Sequence, residues 1–131
     1  MRALDSNVLL RYLINDDPRQ AGISEGIIEE CRRSEEPLFI TVLVLCETVW
    51  VLDRIYRQSK TQILETIELL LTMDLLRFEH ERSVRRAFDQ FRQSRADFPD
   101  YLIGEIAAAA GCRDTVTFDK ALKGSPRFTL L

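Results

Sequence analysis

The chain has 131 residues, 46% of them apolar and 30% charged, with a net charge of −3. That is enough for one cored domain without disulfide or metal staples, and it reads as a soluble, globular chain rather than a disordered one. The slightly acidic total also excludes broad basic-surface binding to nucleic acid, though not a nuclease, whose metal-holding carboxylates count as negative.

Three cysteines, Cys31, Cys46 and Cys112, are scattered without CxxC spacing. They read as free thiols buried in apolar or helical surroundings, and so as the mark of a reducing, cytoplasmic setting. The opening residues lack the apolar stretch of a secretory signal. The most apolar run, residues 38–46, is too short to cross a membrane.

Taken in order, Ala3-Leu4 is a minimal first strand, and Ser6 or Asn7 can cap a helix whose inner face is Leu9, Leu10 and Leu13. Asn15-Asp16-Asp17-Pro18 is a turn, with Pro18 suited to the first position of a second helix that runs to about Arg33. Glu35-Glu36-Pro37 ends it. Leu38-Phe39-Ile40 is the second strand. Thr41 then caps a helix to about Arg57, apolar nearly all round and therefore expected at the centre. Ser59 or Thr61 starts a helix with Ile63, Ile67, Leu70 and Leu71 inward. Leu75 to Phe78 reads as a third strand, and residues 79–95 as an amphipathic helix with the stripe Val84, Ala87, Phe88 and Phe91. Asp100 opens a helix of small residues that Gly111 closes. Thr115-Val116-Thr117 is a fourth strand, and residues 127–131 a last one. No repeat or linker interrupts this alternation. It predicts a single α/β domain over residues 1–131, a three-layer α/β/α arrangement about a central parallel sheet.

Four acids stand in unusual places. Asp5 and Asp119 each follow a strand directly, and parallel strands present such ends on one edge, where α/β folds build their sites. Glu47 has Leu43, Val44, Trp50 and Val51 three and four positions away, so its own helix face is apolar. A bare carboxylate on a buried face is costly and calls for a proton, a partner or a cation. Asp100 follows Pro99 at a helix start, with Asp97 one turn earlier. The four are expected to converge on a divalent metal, and oxygen-only ligands favour Mg²⁺ or Mn²⁺ over zinc. Each also has a plainer reading: a helix cap for Asp5 and Asp100, a turn residue for Asp119, and a partner such as Arg54 for Glu47. His80, the single histidine, sits on a charged helix and reads as solvated surface.

Four segments carry a family likeness: residues 4–18, residues 45–52, Ala96-Asp97-Phe98-Pro99-Asp100-Tyr101-Leu102-Ile103, and Gly111-Cys112 through Val116-Thr117-Phe118-Asp119-Lys120. With the closing Phe128-Thr129-Leu130-Leu131 they span the chain in order. In these the chain resembles PIN-domain ribonucleases, and most closely the VapC-type toxins of prokaryotic toxin–antitoxin pairs. The resemblance implies a PIN-like fold and an Mg²⁺-dependent endoribonuclease with Asp5, Glu47, Asp100 and Asp119 as catalytic, metal-holding acids. It also implies Ser6 and Thr117 lining the site. Asp97, about one turn before Asp100, reads by its position as a supporting acid or a plain loop residue. RNA is then held by basic residues. Arg11 and Lys120 near the acids are candidates, as are Arg82, Arg85, Arg86, Arg92 and Arg95 on the 79–95 helix, for which a merely solvated charged face is the plainer reading. A cognate antitoxin is the implied protein partner. Helix pairing into a homodimer is the further expectation, from apolar faces around Ile63–Leu71 and Trp50–Tyr56. The sequence departs from the family pattern twice: Pro99 stands where a small residue is usual, and Thr117-Phe118-Asp119 replaces a segment with asparagine and a slightly later acid.

Two other readings compete. One is a non-enzymatic metal-binding switch of the receiver type. It requires an aspartate after the third strand, where this chain has Glu79-His80-Glu81. The other is a degenerate PIN domain serving only as an interaction module, which the presence of all four acids disfavours.

Overall fold

Parallel pairing is the rule throughout this protein, whose computed structural model describes residues 1–131. Internal contacts divide the chain into two compact units, Met1–Glu79 and His80–Leu131. The first holds β1 (Arg2–Ala3), α1 (Ser6–Leu13), α2 (Pro18–Arg33), β2 (Leu38–Ile40), α3 (Val42–Arg54), α4 (Lys60–Thr72) and β3 (Leu76–Phe78). The second holds α5 (Glu81–Gln93), α6 (Phe98–Ala109), β4 (Thr115–Thr117), a 3₁₀ turn at Lys120–Leu122 and β5 (Phe128–Leu130). The α/β class and the parallel strands match the sequence expectation. The strands are hydrogen-bonded as two sheets, β1-β2-β3 and β4-β5.

In the first unit the register sets Arg2 opposite Leu38, and Leu38 opposite Leu76. Parallel neighbours need crossovers, and α1–α2 and α3–α4 supply them. Local chemistry fixes where these helices begin. Asp17 accepts the Gln20 amide at 3.1 Å, with Pro18 in the first helical position. Thr41 accepts the Val44 amide at 3.1 Å, and the Glu79 carboxylate accepts the Val42 amide at 2.9 Å. Ser59 and Gln62 form a reciprocal capping box at the start of α4. Leu9, Leu38, Ile40, Leu45, Leu52, Ile67 and Leu70 are almost wholly enclosed. Each such side chain contributes roughly 1.5–3 kcal/mol on burial.

The second unit is built on α5 packed against α6. Val84, Ala87, Phe88 and Phe91, the stripe read from the sequence, are all buried. Facing them on α6 are Phe98, Tyr101 and Leu102, with Phe91 and Phe98 edge-to-face at 6.0 Å. Thr115 lies opposite Phe128 in the two-stranded sheet. Gly104 of α6 lets β5 approach: a Cβ there would stand 2.6 Å from the Phe128 ring. No helix is long and apolar enough to cross a membrane.

Several local expectations are corrected. Asp5, rather than Ser6 or Asn7, is the N-cap of α1, and the latter two are already helical. α3 ends at Arg54 rather than Arg57, which adopts a positive φ of 51°. α5 starts at Glu81 because His80 takes a left-handed conformation, φ 51°. α6 starts at Phe98, two residues before Asp100, with Asp97 as its N-cap. α3 is not enclosed on all sides: Leu43 is 81% and Trp50 55% exposed. Of the cysteines, Cys31 is buried and Cys46 half-buried, its thiol pushed above the usual value by burial, whereas Cys112 is exposed.

Candidate active site

In the first unit β1 runs into Leu4, whose amide donates to the Phe39 carbonyl at 3.1 Å. The chain then delivers Asp5 to the start of α1. Asp5 is extended (φ −79°, ψ 157°), and its carbonyl accepts the Leu9 amide at 3.1 Å. The position is that of a cap, as in the plainer reading, but the side chain makes no capping hydrogen bond. The carboxylate is solvent-facing, and Ser6 beside it is buried.

Glu47 corrects the burial argument. It is exposed, on the face of α3 that also carries Leu43 and Trp50 into solvent. Of its apolar neighbours Leu43 and Trp50 are exposed and Val44 and Val51 half-buried, and with Glu47 itself exposed no cost of burying a charge arises. The expected partner Arg54 pairs instead with its neighbour Asp53 at 3.4 Å.

Arg11, expected to hold RNA, is part of a polar clamp. Its Nη1 donates to Asp16 at 2.9 Å and its Nε to Gln20 at 2.7 Å, while the Tyr56 hydroxyl donates to the other Asp16 oxygen at 2.7 Å. The Tyr56 hydrogen bond, then Arg11, hold the Asp16 carboxyl below its ordinary value. The same bond raises the Tyr56 phenol.

In the second unit three acids stand together electrostatically. The Asp97 amide donates to Asp100 Oδ2 at 3.2 Å, so one oxygen of Asp100 does serve the start of α6. Burial pushes the Asp100 carboxyl above its usual range, and the charges of Asp97 and Asp119 push the same way. Asp119 follows β4 as expected. Its Oδ1 accepts the Ala121 amide at 2.9 Å, and its own amide donates to Thr117 Oγ1 at 3.0 Å. Asp119 thus fills the turn role of its plainer reading, with its second oxygen outside that turn. Lys120 is exposed next to it. Within neither unit do three His, Cys, Asp or Glu side chains gather as a metal-ligating group. The donor chemistry nevertheless fits a hard divalent cation: every candidate offers oxygen, and Asp100 carries a like-charge strain that a cation relieves.

The helix arginines divide into distinct sets. Arg85 lies 3.8 Å from Glu81 one turn back, and the Arg92 guanidinium stacks 4.6 Å above the Phe88 ring. Arg82 and Arg86 face a cleft with Arg127.

One acid escaped the sequence reading. Glu105, in the middle of α6, is 3% exposed and accepts hydrogen bonds from Arg127 Nε at 3.1 Å and from Gln90 Nε2. The signal was present: a lone charge inside Gly104-Glu105-Ile106-Ala107-Ala108-Ala109.

A model of the PIN domain matches residues 2–125 and so runs through both units. A VapC ribonuclease from Aquifex aeolicus (strain VF5) is 28% identical over 123 residues, 94% of this chain and 90% of that protein. An aspartate delivered by the first strand, an acid-bearing helix start in the second unit and a family match over nearly the whole length lead to one assignment: the chain belongs to the PIN-domain family.

Proposed function

We propose that this protein is a divalent-metal-dependent endoribonuclease and the toxin of a toxin–antitoxin pair. The observation that carries the reading is its likeness to a VapC ribonuclease across 94% of its length, inside a family match over residues 2–125. Mg²⁺, or Mn²⁺ in its place, would be held by Asp5, Glu47, Asp100 and Asp119. When bound, such a cation offsets the negative charge that develops on a phosphate under hydrolysis. The chain's own groups prepare this. The amides of Asp97 and Ala121 orient the Asp100 and Asp119 carboxylates, each through one oxygen. The uncapped Asp5 carboxylate is committed to no backbone partner in α1. Ser6, Thr117 and Asp97 support these acids, and Arg11, Lys120, Arg85 and Arg92 hold the RNA. An antitoxin peptide presenting a basic side chain would silence the acids. Of the two faces expected to pair, Ile63, Ile67 and Leu70 are buried within the chain, and exposed Trp50, Ile55 and Leu69 are the apolar surface left for a homodimer in the cytoplasm.

The test is cleavage of a structured RNA by purified protein. Wild type should cleave with Mg²⁺ and stop with EDTA, and Asp5→Asn and Asp100→Asn should be inactive under both conditions. Equal cleavage by wild type and both variants would refute the assignment. Induction in the native host should arrest growth, and harmless induction of folded protein would count against the toxin role.

A further inference from the structure

A cleft of about 470 Å³ opens wholly within the second unit, lined among others by His80, Arg82, Ser83, Arg86, Glu105 and Arg127. Arg82 and Arg86 stand one turn apart on α5, both exposed, and neither forms an ion pair. Arg127 is fixed from below. Its Nε is bound to the buried Glu105, and Gln90 holds the same carboxylate oxygen from α5. That leaves the two Nη groups of Arg127, on a side chain 38% exposed, as oriented donors. The first turn of α5 adds to the field. Its N-cap, His80, makes no side-chain cap, and residues 81–83 line the cleft with the positive end of the helix dipole.

Charge balance within the cleft favours an anion. Glu105 is offset by Arg127 and Glu81 by Arg85, so Arg82 and Arg86 remain in excess. That local surplus stands out on a chain of net charge −3. The apolar lining is only Ala108 and Ala109. A docked peptide relies on larger apolar anchors, whereas a phosphodiester chain needs none. We propose that this cleft, whose lining includes none of the four acids, holds the phosphate backbone of the RNA strand. The inference rests on the ribonuclease reading for the identity of the strand, and on the cleft for the place.

The test uses full-length protein and a fluorescein-labelled single-stranded RNA of about 20 nucleotides, in an Asp100→Asn background that cannot cleave. Binding is measured across a salt series, with and without Arg82→Ala/Arg86→Ala. Both arginines are exposed helix residues, so alanine there preserves the fold. Losing two phosphate contacts should lower the slope of log K against log salt by about 1.4, at about 0.7 per contact on a single strand. Arg19→Ala/Arg33→Ala, an equal charge change on the first unit, should leave the slope in place. In the active background the cleft variant should raise KM for long RNA and retain kcat. An unchanged slope and KM with cleavage intact would overturn the cleft and leave the ribonuclease reading standing. An equal loss in the Arg19/Arg33 control would reduce the effect to net charge and likewise overturn it. Displacement of the RNA by hexaglutamate at comparable affinity would make the cleft a carboxylate-peptide site instead. A wild type that binds RNA through Arg82 and Arg86 but cleaves nothing would sink the ribonuclease reading while supporting the cleft.

Discussion

Removing Arg127 should destabilise the protein more than removing the charge of its partner. Glu105 is 3% exposed and Arg127 38%, at 3.1 Å. Breaking a buried pair by deleting one member costs about 3–5 kcal/mol, because the survivor is left charged and unpaired. Water already reaches the arginine side, and Gln90 still donates to Glu105, so the low end applies: about 3 kcal/mol for Arg127→Ala. At about 2.1 cal/mol/K of unfolding entropy per residue, 131 residues translate 1 kcal/mol into about 3–4 °C. Arg127→Ala should therefore lower the melting temperature by about 10 °C. Glu105→Gln keeps an acceptor oxygen for Gln90 and for Arg127, and should cost only about 1 kcal/mol. The double variant leaves no buried charge, so it should cost about 1–2 kcal/mol, well below the sum of the singles. Urea unfolding of the four proteins at pH 7 measures this cycle. Additive losses, or an Arg127→Ala variant within about 0.5 kcal/mol of wild type, would refute the reasoning.

Asp100→Asn should raise the melting temperature in EDTA at neutral pH. Its carboxyl is raised first by burial and then by Asp97 and Asp119, so the protonated form is favoured in the folded state. Its contribution to stability is fully present below the unfolded value near 3.8 and is lost as pH rises through the higher folded value. The advantage of the asparagine should shrink toward low pH in thermal melts, and an asparagine variant that melts lower at pH 7 would contradict this. Gly104→Ala should destabilise by about 1 kcal/mol: about 1 kcal/mol of helix propensity is gained, against roughly 1–3 kcal/mol of overpacking. The new methyl would stand 2.6 Å from Phe128 Cε2 and 3.0 Å from Arg127 Cβ, and a rise in urea midpoint would show that β5 yields freely. Light scattering at high concentration should show a dimer that Trp50→Glu or Ile55→Glu converts to monomer; a monomeric wild type would end that expectation.

Elements whose boundaries are set by local chemistry were legible in the sequence. Thr41 caps α3 as read, Pro18 opens α2, and the strands Leu38–Ile40 and Thr115–Thr117 stand at the residues expected. Helix starts were misplaced where the cap is itself a candidate acid or adopts an unusual backbone, as at Asp5 and His80. Burial was the larger difficulty. Periodicity shows that α3 is apolar around Glu47, but not that Leu43 and Trp50 face water. Glu105 went unnoticed because its partners lie 15 and 22 positions away in sequence. The same logic applied to Glu47 would have singled it out: a charge on an alanine-rich helix needs a partner.

The registers of the two sheets also bear on the order of folding. Thr115 and Phe128 are 13 positions apart, whereas Arg2 and Leu38 are 36 apart and Leu38 and Leu76 are 38. Closing the shorter segment costs about 0.9 kcal/mol less chain entropy than closing either longer one, by the logarithmic dependence on length. On that ground β4–β5 is the less costly pairing to close in a full-length unfolded chain. A growing chain releases these segments in the opposite order, with residues 1–79 emerging first. The sheet that closes at the higher entropic cost is therefore synthesised first, and the one that closes at the lower cost waits for the last residues of the chain.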